Sequence, residues 1–241
     1  MFIVDKIKSM MRRPPVLIYQ MGKVGSTTLL STLSRNYSGE VIQAHTYDSI
    51  ALNHRQSLVL RQYLHMPVYV ICPVRDPISR NISAFFQNFT RDTGFNLADR
   101  DWSVSELKSM FMKYYPHNVC LEWFDRHMRS AFGIDVYAQM FPVNRKWNIY
   151  KIGSTNLLIY RTDIEKCDQL KIISDFLSVN LQEWNYSNIS DDKEYNNIYK
   201  AFCEKVDLPD IYIDIMCNSS FCRTFWSADE IGRMAIKWKQ K

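Results

Sequence analysis

Glycine is scarce in this chain, with only seven glycines among 241 residues, and no repeat or low-complexity tract is present. Collagen-like and disordered classes are thereby excluded. Neither sign of charge dominates, since 30 Lys and Arg face 25 Asp and Glu for a net charge of +5. Such a mild and scattered excess indicates a small anionic ligand rather than a nucleic acid as partner.

Long apolar runs are also lacking. The sequence holds no stretch near the roughly 20 apolar residues of a membrane span and no signal-peptide core, so we expect a cytoplasmic protein. Residues 1–13 combine apolar and basic side chains. This pattern leaves two interpretations open, a weak peripheral contact with a membrane surface or a helix packed on its own domain.

Paired cysteines are absent as well. Six cysteines are spread through apolar segments without a CxxC pair: Cys72, Cys120, Cys167, Cys203, Cys217 and Cys222. Zinc ligation and a disulfide framework are therefore not expected, and no metal is predicted. We predict reduced cysteines, most of them buried.

The order of predicted elements favours a parallel sheet. Apolar runs at Val16 to Gln20, Glu40 to Ala44 and Val68 to Val74 are typical of strands, and helical patterns at Ser26 to Asn36 and Ser49 to Tyr63 separate them. This β-α-β-α-β order within residues 16–88 is typical of a nucleotide-binding unit. With no Pro/Gly/Ser-rich linker anywhere, residues 1–241 are predicted to form a single domain after a basic segment at 1–15.

The rest of the chain is predicted to be largely helical. Asp76 and Pro77 begin a helix that runs to Phe86, and Phe89 to Ser103 is predicted to be a loop that could cover a bound ligand. The remaining predictions are helices at Ser105 to Tyr115, Asn118 to Phe132, Asp192 to Val206 and Ala228 to Lys239, strands at Trp147 to Ile152 and Leu157 to Arg161, and a capping box of Thr162 and Glu165 before a helix to Val179.

The most informative segment follows the first strand and reads MGKVGSTTL. Gly22 and Gly25 permit positive φ or close approach of an anion, Lys23 supplies a cation, and hydroxyls follow at the start of a helix: Ser26, Thr27 and Thr28. The pattern predicts a phosphate cradle. The alternative is an ordinary strand-to-helix turn with a solvated lysine.

A Walker A loop requires the lysine directly after the second glycine. Here Lys23 precedes Gly25, so an ATP-dependent kinase is disfavoured. A second polar segment, VRDPISRNISAFF, follows the third strand. Arg75 lies at the strand's carboxyl end, where open parallel sheets bind ligands, and Ser83 lies on the helix that follows. Together they could hold a second phosphate, unless Arg75 instead pairs with a carboxylate such as Asp76.

These two segments together resemble the sulfotransferase superfamily that uses 3′-phosphoadenosine 5′-phosphosulfate (PAPS). MGKVGSTTL is similar to its 5′-phosphosulfate loop, and VRDPISRNISAFF to its 3′-phosphate motif. LLIYRTDIEKC and CNSSFCRTFWSADEIGRMAIKW resemble a bacterial branch labelled putative capsular polysaccharide synthesis protein. That branch is named after an Asn-Lys-Trp-Tyr-Ser motif, whose closest counterpart in this chain is Arg145-Lys146-Trp147-Asn148-Ile149.

The resemblance implies a P-loop-like three-layer α/β fold and transfer of a sulfuryl group from PAPS, with the desulfated nucleotide PAP as product and a carbohydrate or lipid-linked hydroxyl as acceptor. It assigns the 3′-phosphate to Arg75 and Ser83 and the leaving-group charge to Lys23. The 5′-phosphosulfate is assigned to the loop: Gly22, Lys23, Val24, Gly25, Ser26, Thr27 and Thr28.

The acceptor hydroxyl also needs a base. His45 directly follows the second strand and is the candidate, because imidazole exchanges protons near neutral pH. A loop hydrogen bond is an equally good interpretation of His45, and Glu122 and Asp125 are alternative bases. Two other functions remain open, a phosphotransferase that uses ATP and a non-catalytic nucleotide-binding factor of capsule assembly.

Overall fold

The computed structural model describes residues 13–46, 48, 65–186 and 195–240. These residues form two compact units, each assembled from separate stretches of chain. The first unit takes the described residues within Met1–Val74, His127–Ile134 and Trp147–Ser187. The second takes those within Arg75–Arg126, Asp135–Lys146 and Asn188–Lys241.

The first unit is built on a five-stranded sheet with strand order β2-β1-β3-β5-β4. Its strands are β1 (Val16–Tyr19), β2 (Val41–Ala44), β3 (Val68–Val74), β4 (Trp147–Ile152) and β5 (Thr155–Arg161). Neighbouring strands run parallel except for β4, which pairs antiparallel with β5 around the turn at Gly153. The expected α/β architecture with a central, mostly parallel sheet flanked by helices is thus confirmed.

Helices form where the local sequence supplies starts and stops. They are α1 (Ser26–Asn36), α2 (Pro77–Gln87), α3 (Phe89–Thr93), α4 (Val104–Tyr114), α5 (Val119–Trp123), α6 (Arg129–Phe132), α7 (Lys166–Leu177), α8 (Asn196–Lys205), α9 (Asp210–Cys217), α10 (Ser220–Phe225) and α11 (Ala228–Lys239). A π-helical segment, Phe124–Met128, joins α5 to α6. Ser103 and Ser227 cap α4 and α11 in complete capping boxes.

One face of the sheet packs on α1 and α7. Val16 and Ile18 of β1, Ile71 of β3 and Leu158 of β5 lie in one buried cluster with apolar side chains of both helices. Such burial contributes about 25 cal/mol per Å² of apolar surface. Because β1, β3 and β5 are buried on both faces, β1, β3 and the centre of β5 are apolar without a polar residue at every second position.

The core of the second unit is aromatic. The Phe85 ring of α2 lies 5.3 Å from the Phe111 ring of α4, and Phe111 lies 6.1 Å from Phe202 of α8 and 5.8 Å from Tyr212 of α9, mostly edge to face. Such pairs add to the free energy of burial through their quadrupoles. The core thereby fixes α2 against three other helices.

Several expectations need correction. Phe89 to Ser103 is not one loop, because it contains α3 and a 3₁₀ turn at Leu97–Asp99 that is closed by its own capping box. The capping box of Thr162 and Glu165 is wrong. The Thr162 N–H donates to the Val74 carbonyl and prolongs the β3–β5 pairing, and α7 begins only at Lys166, after an N-cap, Glu165, whose side chain makes no capping bond. The helices α9 and α10 were missed.

Other expectations fall partly or wholly outside the described residues. The Ser49 to Tyr63 helix, residues 192–194 and residues 1–12, the bulk of the segment considered for membrane contact, all lie there. In the part of the chain that is described, no helix is long and apolar enough to cross a membrane. None of the six cysteines forms a disulfide, and Cys72, Cys120, Cys217 and Cys222 are buried as predicted.

Candidate functional site

The loop after β1 turns through three left-handed residues. Gly22, Lys23 and Gly25 have φ values of 82°, 64° and 77°. Glycine adopts this region at little cost, whereas a side chain such as that of Lys23 is strained there. The turn brings the chain directly into α1, whose N-cap is Gly25 and which has no side-chain cap. A Cβ placed on Gly25 would meet nothing within 4 Å, so there is open space beside the helix start.

The position of this loop in the sheet suits a ligand. In the sheet, β1 lies between β2 and β3. The chain passes from β1 through α1 to β2 on one side of β1, and β3, which follows β2 in the sequence, lies on the other side. Open parallel sheets bind ligands at the carboxyl ends of strands where the strand order reverses in this way. The N-terminus of α1 adds a partial positive charge at the same point.

Gln20, at the end of β1, organises the loop. Its side chain is fully buried, with 0% exposure. The Oε1 atom accepts a hydrogen bond from the Gly22 N–H. The Nε2 atom lies 2.9 Å from Ser26 Oγ and 2.9 Å from His45 Nδ1. A single amide therefore contacts the loop, the first residue of α1 and the residue that follows β2.

Ser26 lies at the centre of this arrangement. Its exposure is 6%, and its Oγ also accepts a hydrogen bond from Gln43 Nε2 of β2 at 2.9 Å. The other predicted hydroxyls differ, because Thr27 is exposed and Thr28 is half-buried. Val24 is buried and anchors the loop, and Lys23 is half-buried.

His45 is exposed, and its Nδ1 atom contacts two atoms of Gln20. Besides the side-chain contact, Nδ1 lies 3.1 Å from the main-chain oxygen of Gln20. The two contacts belong to different tautomers. Nδ1 accepts from the Gln20 amide when the ring proton is on Nε2, and it donates to the Gln20 carbonyl when Nε2 is unprotonated. Only the second tautomer offers Nε2 as a base.

The second predicted segment places Arg75 directly after β3. Arg75 is half-buried, and its guanidinium interacts with the hydroxyl of Tyr199 on α8. Burial raises the pKa of Tyr199, while the Arg75 guanidinium opposes that rise. Ser83 lies two turns along α2 and is half-buried, and the Phe86 ring of α2 lies 5.4 Å from the Tyr199 ring. Tyr199 is thus a candidate neighbour of a phosphate held by Arg75.

Asp76 serves the helix that follows it. Its Oδ1 accepts from the N–H groups of Ile78 at 2.9 Å and Ser79 at 3.2 Å, and its Oδ2 accepts from the Ser79 hydroxyl. Arg80 is buried and donates to the Tyr115 hydroxyl at 2.5 Å and to Asn81 Oδ1 at 3.1 Å. These polar residues of the motif therefore hold α2 in place.

The alternative bases, Glu122 and Asp125, and Trp147 of the Arg145–Ile149 motif have the surroundings of ordinary surface and packing residues. Glu122 pairs with Arg126 at 2.7 Å on the helix surface, and Asp125 is exposed. Trp147 begins β4 and lines a cavity of about 330 Å³ with Tyr69 and Phe176. Among the residues described, no three His, Cys, Asp or Glu side chains are grouped as a metal ion would require.

Sequence reasoning missed Gln20, Gln43 and Tyr199. Gln20 and Gln43 look like ordinary strand residues, and nothing in the sequence around Tyr199 marks it. The predicted residues Ser26 and His45, in contrast, are brought together, since both lie 2.9 Å from Gln20 Nε2.

Comparison with known proteins finds a matching family. Residues 97–227, more than half of the chain, match the model of a family described as "Putative capsular polysaccharide synthesis protein" (NKWYS). The match excludes the loop after β1 and the Arg75 segment. No curated protein and no solved structure matches this chain.

Proposed function

The chain belongs to the putative capsular polysaccharide synthesis protein family, and from that premise we propose that it is a sulfotransferase. In this proposal the protein moves the sulfuryl group of PAPS to a hydroxyl of a carbohydrate or glycolipid precursor. The family supplies the polysaccharide context, and the residues after β1 supply the chemistry.

The single observation that carries the proposal is the geometry of the loop after β1. Three left-handed residues, 22, 23 and 25, lead into a helix that has no side-chain cap and has open space beside its first turn. Backbone N–H groups at such a helix start bind phosphate and sulfate groups well. The Gly22 N–H is already bonded to Gln20. We assign the 5′-phosphosulfate to the N–H groups at this turn and helix start, from Lys23 to Thr28.

Lys23 has the role of neutralising the leaving group. When the acceptor oxygen attacks sulfur in line, the bond between sulfur and the bridging oxygen breaks, and negative charge develops on the 5′-phosphate. A preorganised donor at such an oxygen contributes about 10² to 10³ in rate. The left-handed backbone at Lys23 holds its Cα within the loop that would bind this phosphate.

His45 has the role of the base. In the tautomer with its proton on Nδ1, His45 donates that proton to the main-chain carbonyl of Gln20 at 3.1 Å, and this is the orienting bond that a base acting through Nε2 requires. As the acceptor's hydroxyl proton passes to Nε2, this carbonyl stabilises the resulting imidazolium.

The 3′-phosphate is assigned to Arg75 and Ser83. This assignment rests on the sequence motif, and the contact of Arg75 with Tyr199 supports it because a fixed guanidinium loses less entropy on binding an anion. The alternative, a phosphotransferase using ATP, would need a carboxylate for magnesium. The only carboxylate placed there by the sequence, that of Asp76, has both oxygens engaged at the start of α2.

Calorimetric titration of the purified protein tests the donor site. We expect PAP to bind without magnesium, in preference to ADP, and Arg75→Ala to weaken binding by at least about tenfold, as loss of a charge-assisted bond would do. Arg223→Ala, at an exposed arginine of α10, is the matched control and should leave the affinity unchanged. A preference for ATP with magnesium would contradict the proposal.

Turnover separates an enzyme from a non-catalytic member. Transfer of label from PAPS to a panel of saccharide and glycolipid acceptors is measured for the wild type, Lys23→Ala and His45→Ala. We expect both variants to fold and to lose transfer, His45→Ala with its PAP affinity nearly intact. Transfer that survives both substitutions would defeat the catalytic assignments, and PAP binding without any transfer would identify a non-catalytic factor.

A further inference from the structure

Two glutamine side chains donate to the same serine oxygen. Gln20 Nε2 and Gln43 Nε2 each lie 2.9 Å from Ser26 Oγ. The orientation of the Gln20 amide is set by its other end, because Oε1 accepts the Gly22 N–H and must therefore face the loop. The NH₂ group of Gln20 consequently faces Ser26.

A serine hydroxyl has one proton and two lone pairs. When both lone pairs accept hydrogen bonds, the proton must be donated to a third group. Within a helix that group is usually the carbonyl four residues earlier. Ser26 is the first residue of α1, so no helical turn precedes it. The two amides therefore direct the Ser26 proton away from themselves. It faces the place where the loop presents its backbone N–H groups.

We propose that Gln20 and Gln43 are positioning residues that hold the Ser26 hydroxyl as an obligatory donor toward the anion bound by the loop. The identity of that anion, the 5′-phosphosulfate of PAPS, rests on the function proposed above. The orientation itself does not depend on it, since any fully ionised phosphate or sulfate group presents only acceptors.

Burial makes this orientation persistent. Gln20 and Ser26 have exposures of 0% and 6%, so water has little access to the hydrogen bond between their side chains. A hydrogen bond in such surroundings is electrostatically stronger than one in water. One amide alone would leave a lone pair open and let the hydroxyl rotate, so the second amide, on β2, completes the constraint.

The test replaces one of the two hydrogen-bond donors to Ser26 with an acceptor. Gln43→Glu keeps the size of the side chain but presents a carboxylate, which accepts the Ser26 proton and turns it away from the ligand. Gln43→Met removes the donor without adding charge and serves as the second variant if the carboxylate prevents folding. Each is also made in the Ser26→Ala background, giving double-mutant cycles, and thermal unfolding checks that all variants are folded.

Affinity for PAP and, separately, for inorganic pyrophosphate is the readout. We expect Gln43→Glu to weaken binding about tenfold more when Ser26 is present than in the Ser26→Ala background, and Gln43→Met to show a smaller coupling of the same sign. The added charge repels the anion in both backgrounds and cancels in the cycle. Equal losses in both backgrounds would overturn the inference, even if PAP binds the wild type tightly.

The second probe keeps the two proposals distinguishable. Coupling seen with pyrophosphate, in a protein that does not bind PAP, would support the positioning role and defeat the proposed donor. A wild-type protein that binds neither anion would overturn both.

Discussion

At the scale of single residues, Lys23 combines a strained backbone with a proposed role in catalysis. Its backbone is left-handed, with φ at 64°, where a non-glycine residue costs about 1 kcal/mol or more. Strain of this kind persists only where the surrounding structure holds it. In the proposed reaction, the lysine side chain is the reason for keeping a residue with a Cβ at this position.

We predict that Lys23→Gly and Lys23→Ala separate the two effects. Both variants lack the ammonium group and should lose transfer. Lys23→Gly should nevertheless be more stable to urea than Lys23→Ala, by up to about 1 kcal/mol, because only glycine relieves the strain, although its freer unfolded chain offsets part of the gain. If Lys23→Gly were no more stable than Lys23→Ala, the strain relieved by glycine would not exceed the entropy cost of its freer unfolded chain.

Local pattern was enough to indicate some of these residues but not all. Gly22, Lys23, Gly25 and Ser26 lie within five positions, so their relation to a strand end and a helix start is visible in the sequence. Gln43 reaches Ser26 only because β2 pairs with β1, a fact of tertiary structure.

At the scale of elements, α2 depends on its cap. Two backbone N–H groups and one hydroxyl donate to the Asp76 carboxylate, and Pro77 takes the first helical position. This start was correctly predicted, because capping chemistry is local. The capping box predicted at Thr162 was wrong, because a non-local contact competes with it. The Thr162 N–H bonds to the Val74 carbonyl, and this pairing overrides the capping preference of Thr162.

We predict that Asp76→Ala lowers the free energy of unfolding by about 1 to 2 kcal/mol, the usual cost of losing a helix cap. Asp76→Asn is the matched control, because asparagine also caps helices well and should lose clearly less. Chemical denaturation measures both. If the two variants were destabilised equally, the charge of Asp76 rather than its capping bonds would be stabilising the protein.

At the scale of the whole molecule, a half-buried histidine packed against the aromatic core makes stability depend on pH. The His117 ring lies 4.6 Å from the Phe111 ring and 4.8 Å from the Tyr212 ring. Neither ring nitrogen makes a hydrogen bond of good geometry. Desolvation lowers the pKa of His117 below 6.5, although the nearby carbonyls of Phe111 and Met112 act in the other direction.

The sign of the effect follows from linkage. With its pKa lowered in the folded state, His117 takes up a proton in the unfolded chain first, so the free energy of unfolding falls as the pH drops below about 6.5. We predict that His117→Phe, which fits the aromatic surroundings, flattens this dependence below about pH 6.5 in urea titrations.

Tyr212→Phe is the control for that prediction. It alters the same cluster, but burial raises the pKa of Tyr212, so this hydroxyl does not titrate in acid. The control should therefore keep the wild-type pH dependence even if its stability is lower. A His117→Phe variant with the wild-type slope would mean that other groups produce the dependence.

The sequence by itself determined the features that depend on residues close together along the chain. It indicated the three parallel strands, the glycine-bearing loop with its lysine and hydroxyls, and the cap of α2, because turn chemistry, capping and apolar runs act over a few residues. Only the tertiary structure decided the order β2-β1-β3-β5-β4, the two amides on Ser26 and the tyrosine beside Arg75. These contacts join residues 6 to more than 100 positions apart, and such contacts are fixed by packing, which no local pattern records.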